Sequence, residues 1–305
     1  MASIVDDIRQ TFRRGDINVK LIGINIAVFL LMSVLEIALT LFNRSPYSLF
    51  NPFELPASVD TLLRQPWSIV TYMFMHASLM HILLNMLWLF WIGHIFLDFF
   101  SSKHLRGLYI LGGMLGGALY IITYNIFPYF SDKIEYSYML GASASVLAIV
   151  TAAAYRSPNY PIQMLLLGTF RLKYVAIGAV ALDLLMVTTD NAGGHIAHIG
   201  GAASGLLFAW LLDRGTDLTA WINAIIDAVD HMLGFTRRSH RNKRPKMKVS
   251  FGGGKATASD SKTSTETEAK KRQDRIDHIL DKIRQSGYQS LTEEEKKELF
   301  NANKN

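Results

Sequence analysis

Apolar positions along this chain come in long unbroken runs, not at the spacing of an amphipathic helix or a half-buried strand. Six runs, at about 21–42, 81–100, 105–127, 140–154, 174–189 and 195–212, are separated by more polar stretches, all but the first of them short. Crossing about 30 Å of hydrocarbon takes roughly 20 mostly apolar helical residues. The runs therefore predict an all-α fold, a polytopic membrane protein with a six-transmembrane-helix bundle over 21–213. The fourth and fifth runs are short, as expected where neighbouring helices surround them instead of lipid. Between the first and second lies a long gap, 43–75, rich in both turn formers and apolar side chains. It reads as a loop that packs on the membrane surface.

Composition agrees with this picture. Half of the 305 residues are hydrophobic and only 18% are charged, too oily for a soluble protein of this size. The charges are segregated, being sparse over 21–212 and crowded over the last seventy or so residues. With no cysteine, disulfides, thiolate nucleophiles and Cys-ligated metals are excluded. The short-loop Lys and Arg count orients the bundle. Arg9, Arg13, Arg14, Lys20, Lys103, Arg106, Arg156, Arg171, Lys173 and Arg214 fall on one side; only Arg44, Arg64 and Lys133 fall on the other. Both termini are expected in the cytoplasm, with 1–20 a cytoplasmic N-terminal segment and the first run a span, not a cleaved leader.

Polar groups at membrane depth are costly and face the bundle interior, so each is a functional candidate. They cluster in "HASLMHILLN" (His76, His81, Asn85), "GASAS" (141–145) and "GGHIAHIGGAASG" (193–205). The second, fourth and sixth spans all run inward from the outer face. Ser143 and His198 each lie about three residues inside their spans, and at about 1.5 Å per residue both fall roughly 5 Å below the outer rim. Gly201 and Gly205 form a GxxxG pair beyond His198 that would let the sixth span lie against the fourth. Gly112, Gly113, Gly116 and Gly117 repeat the device on the third span, where it implies packing alone. A serine hydroxyl becomes a nucleophile when a neutral histidine takes its proton. The oxyanion that follows needs preplaced donors, and the backbone N–H groups of Ala142 and Ser143, His81 and the Asn85 amide are available. Asp190 lies in the loop before His198 and Asp183 on another helix, placed mid-helix with a structural hydrogen bond as its expected role; the expected arrangement is a Ser143–His198 dyad.

These residues resemble the rhomboid family of intramembrane serine proteases, in particular bacterial members with a cytoplasmic helical tail. "PWSIVTYMFMHASLMHILLNMLWLFWIG" is similar to the family's loop and second helix, "GASAS" to its Gly-x-Ser motif, and "AHIGGAASG" to its Ala-His-x-x-Gly-x-x-x-Gly motif. The resemblance implies Ser143 as nucleophile, His198 as general base, and His81 with Asn85 in the oxyanion site. It further implies a fifth helix that gates substrate, an acyl-enzyme intermediate, and single-span membrane-protein substrates cut near the extracytoplasmic face of a bacterial inner membrane. Such substrates would unwind easily and carry a small residue before the cut. Three positions depart from the pattern: Ala144 where many members have glycine, narrowing the oxyanion pocket slightly; Leu147 where many have an aromatic that packs under the histidine; and Ser68 after Trp67 where some have arginine.

Other readings compete with this one. Ser143 alone is equally a small residue at a helix contact, Ser145 points about 200° away along a helix, and His195 is a rival base one turn from His198. His76 reads as a loop anchor. His76, His81, His195 and His198 do not form HExxH, and no acidic residue stands beside them in sequence, so no metal and no cofactor is expected. A transporter would show inverted repeats or broken helices. The rival that stays open is a rhomboid-like protein that binds membrane clients without cutting them.

Beyond the bundle, 214–248 combines an amphipathic stretch (Leu218, Trp221, Ile222, Ile225, Ile226, Val229, Leu233) with the run "RRSHRNKRPKMK". This suits the inner leaflet and its anionic lipid, with no nucleic acid expected. A disordered linker at 249–269 and a small helical hairpin at 270–305 follow. In the hairpin, Ile276, Ile279, Leu280 and Ile283 form a stripe, and Thr292 with Glu295 a capping box. A cytoplasmic partner of this tail is the expected role.

Overall fold

The computed structural model describes residues 16–164 and 168–232, together with 277, 279, 282–283 and 291–296. The chain divides into two compact units, 1–238 and 239–305. In the first, each apolar run becomes a helix, and the three longest of the first half start where a polar side chain satisfies a free N–H group. Asp16 caps α1 (Ile17–Leu41), Ser78 caps α2 (Leu79–Phe99), and Ser101 with His104 closes a reciprocal cap on α3 (Ser102–Ile126). α4 (Ser143–Arg156), α5 (Leu172–Leu185), α6 (Ala192–Leu212) and α7 (Ala220–Met232) follow.

α1, α2, α3 and α6 are long and apolar enough to cross a membrane. α4 and α5 have 14 residues each, about 21 Å of helix. The expected fifth run overreached: α5 stops at Leu185, because the Thr188-Thr189-Asp190-Asn191 stretch favours turn over helix. α1 buries only Asn18, Leu21 and Asn25 and leaves Leu30, Leu31, Val34, Ile37 and Leu41 exposed. α4 is the reverse, with eleven of its residues from Ala144 to Ala154 buried between α2, α3, α5 and α6. One helix faces outward with apolar side chains and the other forms the centre, as expected of a bundle solvated by lipid.

Small residues set the closest contacts. A Cβ on Gly201 would collide with the Ala144 carbonyl, and one on Gly205 with the carbonyl of Ala148. Gly116 meets the Ala197 carbonyl in the same way, at 2.6 Å. α6 thus lies backbone to backbone on α4 and α3, as the GxxxG spacing predicts. Gly201→Val should cost more stability than the about 1–3 kcal/mol of an ordinary overpacking change, read as a lowered thermal unfolding midpoint in detergent, since backbone, not a flexible side chain, is struck. An unchanged midpoint would show that the two helices can part without cost.

The gap after α1 forms short helical turns whose inner face is buried at Leu55, Ala57, Tyr72 and Met73. Tyr72 donates its hydroxyl to the Gly113 carbonyl at 2.7 Å. A two-residue strand, β1 (Leu55–Pro56), pairs antiparallel with β2 (Tyr138–Met139), and the Gly141 N–H donates to the Tyr72 carbonyl at 2.9 Å. The loop therefore holds the segment that leads into Ser143. An exposed hairpin, β3 (Pro161–Met164) with β4 (Gly168–Arg171), joins α4 to α5.

α7 docks on the start of α3 through buried Ile222 and Asn223. Arg106 and Lys103 both pair with Asp227. Trp221, Ile225, Val229 and Met232 stay exposed, so the stripe expected on one face is divided between protein and surroundings. In the second unit Ile279 and Leu291 are buried. Thr292 accepts from the Glu295 N–H at 3.3 Å while Glu295 accepts from the Thr292 N–H at 2.8 Å, the reciprocal cap that the spacing predicts. The N-terminal segment before Asp16, Leu233, the basic run and the Gly/Ser/Thr-rich linker lie outside the described residues.

Candidate functional site

Ser143 is the first residue of α4, preceded by Ala142 in helical conformation with no side-chain cap. The first N–H groups of that helix have no intrahelical partner and carry its positive end. Gly141 before them has φ +129°, and a Cβ there would also sit 2.8 Å from His81 Nε2. No other residue meets both demands. Backbone torsion and pocket space together thus require the glycine of the "GASAS" motif.

Ser143 Oγ lies 2.6 Å from His198 Nε2. Two helices bring together these atoms of residues 55 apart in the chain, and α6 reaches α4 because of Gly201 and Gly205. His198 Nδ1 lies 2.9 Å from Asp183 Oδ1, and the same oxygen lies 2.7 Å from His195 Nδ1. This overturns two expectations: that no acidic group stands beside His198, and that Asp183 lies mid-helix. α5 ends two residues after Asp183, which puts the carboxylate in its last turn, level with the first turns of α6. A signal was available in the sequence. In an antiparallel helix pair joined by a six-residue turn (186–191), residues equidistant from the turn face one another, which sets Asp183 opposite Gly194 and His195, one turn from His198.

An ionised carboxylate only accepts hydrogen bonds, so with Asp183 on Nδ1 the His198 ring proton belongs there, and Nε2 is left to accept from the Ser143 hydroxyl. His195 turns its Nδ1 to Asp183 and does not line the cavity around Ser143. It is not a rival base in this arrangement. Asp183 is buried, whereas Ser143, His195 and His198 are partly so.

A cavity of about 420 Å³ surrounds the pair. Its polar lining includes His81, Asn85, Asn191 and Gly194; its apolar wall comes from Leu84 and Trp88 on α2, Val146, Leu147 and Val150 on α4, and Val175, Ala179 and Leu182 on α5. A second cavity of about 440 Å³, lined by Tyr124, Ser137, Tyr138 and Asp190, shares His81, Leu140, Asn191 and Gly194 with the first. His81 and Asn85 stand on one helical face, Asn85 donating to the His81 carbonyl at 2.9 Å. The Ala77 N–H meets His81 Nδ1 at 3.5 Å, which leaves His81 Nε2–H to face Gly141. Ala142 is fully buried and offers only its backbone. Ala144 does not narrow this pocket: its methyl packs toward Gly116 of α3. Leu147 lines the cavity where an aromatic was the alternative.

His76 lines a separate cavity of about 370 Å³ between α1 and the loop, with Glu36 and Glu54. Its ring meets that of His81 edge to face at 5.1 Å. Burial, with His81 beside it, pushes the His76 imidazole down to about 4, so it is neutral near pH 7.

The family described as Rhomboid domain matches residues 63–215, half of the chain, and a family of unknown function, DUF6576, matches residues 263–304. Among curated proteins, the chain is 28% identical over 160 residues to the RHOMBOID-like protein 12, mitochondrial, of Arabidopsis thaliana; the match takes in 47% of this chain and 45% of that protein. The chain thus spans about half the length of this curated relative.

Proposed function

The chain belongs to the rhomboid family, and from that premise we propose that it is an intramembrane serine endopeptidase acting on single-span membrane proteins near the extracytoplasmic face. The observation that carries this reading is the 2.6 Å contact of Ser143 Oγ with His198 Nε2 inside a cavity lined by both apolar and polar side chains. His198 Nε2 takes the hydroxyl proton as Ser143 Oγ attacks the scissile carbonyl. The Ser143 N–H, His81 and Asn85 receive the oxyanion, whose stabilisation by preplaced donors contributes most to acyl-transfer catalysis. The imidazolium then gives its proton to the leaving amine, releasing the C-terminal fragment. Water entering past Asn191 and Gly194 loses a proton to His198 and attacks the acyl-enzyme, which restores Ser143.

Asp183 does not touch substrate in this scheme. It is a positioning residue that holds the His198 tautomer and offsets the imidazolium charge. The wall formed by α2 and α5 suits an unwound, mostly apolar segment arriving sideways from the bilayer, with α5 as the element that moves aside. The excess of basic residues in the connecting loops of one side supports an orientation with both termini in the cytoplasm, in which the exposed apolar side chains of α7 would rest on lipid of the inner leaflet.

Protein purified in detergent should cleave a model single-span substrate, and Ser143→Ala should retain substrate binding while losing cleavage. Wild-type protein that captures the substrate yet never cuts it would identify a client-binding member of the family instead.

A further inference from the structure

Asp183, His195 and His198 come from two helices, and one ligand atom of each lies within 4.8 Å of the other two. Only one carboxylate oxygen serves two histidines here, at 2.7 and 2.9 Å. Two imidazole nitrogens and one carboxylate oxygen form a donor set that suits zinc, three protein ligands with a fourth position open to water. Ligand atoms at about 2.0–2.2 Å from zinc in a tetrahedron lie about 3.3 Å apart, so seating the ion asks the carboxylate oxygen to retreat from both imidazoles by roughly half an ångström and the two imidazoles to turn toward one another. Access exists, because Asp183 and His198 both line the cavity around Ser143.

We propose that Asp183, His195 and His198 form a binding site for zinc whose occupation switches the protease off. The reason is tautomeric. Metal on Nδ1 of His198 uses the lone pair of that nitrogen and displaces its proton, so the remaining ring proton must sit on Nε2. That nitrogen then donates toward Ser143 and no longer accepts, and the hydroxyl has no base. The ion also takes the Asp183 oxygen that would offset the imidazolium. His195, which has no part in the hydrolytic scheme, becomes the third ligand. The binding half of this inference stands on geometry alone; the inhibitory half rests on Ser143 and His198 being the reacting pair.

The test uses the full chain in detergent, stripped with EDTA and titrated with Zn²⁺ by calorimetry and with Co²⁺ by visible absorption. Wild type should bind one equivalent and show the intense bands of tetrahedral cobalt. His195→Gln should weaken binding by at least about ten-fold, the loss usual even for groups that only support a metal ligand, with an unchanged thermal unfolding midpoint. His76→Gln, which leaves all three donors in place, should bind as wild type. Zinc at saturating concentration should block both cleavage and labelling of Ser143 by a fluorophosphonate, and EDTA should restore them. Absence of binding, binding indifferent to His195→Gln, or binding lost instead with His76→Gln would overturn the site. Bound zinc with undiminished labelling would overturn the switch. Zinc binding by a protein that never cleaves under any condition would uphold the site and count against the protease reading.

Discussion

Ser143→Ala, His198→Ala and the double variant are expected to lose cleavage to the same depth, a fall in kcat on the order of 10⁴- to 10⁶-fold, because a nucleophile and its base act as one unit. The hydroxyl is useless without the acceptor 2.6 Å away, and the imidazole has nothing to activate once the hydroxyl is gone. Equality of the three losses is the informative part. It is read from single-turnover cleavage of a model substrate. If the double variant proved much worse than either single one, the two side chains would be contributing independently, and a shared proton would be the wrong description. Each variant should keep its thermal unfolding midpoint, since neither side chain fills the packed centre of α4.

Asp183→Asn is expected to lower kcat by about 10²- to 10⁴-fold with KM little changed, the size of effect known when an orienting carboxylate is lost. The carboxylate accepts from both His195 and His198. An amide has one accepting oxygen and one donating nitrogen, so it satisfies at most part of this arrangement and carries no charge to offset an imidazolium. The split between kcat and KM separates this role from a structural one, which would lower the unfolding midpoint and affect both constants. Fluorophosphonate labelling should slow in parallel. Full activity in Asp183→Asn would mean that Ser143 and His198 work as a pair without a third member.

The C-terminal ends of α2, α3 and α6 were legible because long apolar runs have one inexpensive structural solution, whereas α4 was expected to open at 140 with Ser143 about three residues inside it and instead begins at Ser143, because Gly141 at φ +129° stands outside the helix. Gly201 and Gly205 announced the α4–α6 contact for the same reason: only a backbone can occupy the space that a Cβ would fill. Asp183 was not legible from its own neighbourhood. An acidic residue within an apolar run invites a mid-helix reading, and its partner became visible only when the turn at 186–191 fixed where α5 ends. The hairpin between α4 and α5 was missed because its strands, Pro161–Met164 and Gly168–Arg171, are short and exposed, without the alternation that marks a half-buried strand. The division of the α7 stripe was hidden too, since sequence cannot tell whether Ile222 meets α3 or lipid.

The activation of Ser143 by His198 is tested most directly by treating the detergent-purified protein with a fluorophosphonate and locating the adduct by mass spectrometry. One adduct per chain is predicted, on Ser143, absent from Ser143→Ala and strongly diminished in His198→Ala. An adduct on another residue, or labelling of Ser143 as fast without His198 as with it, would contradict the account.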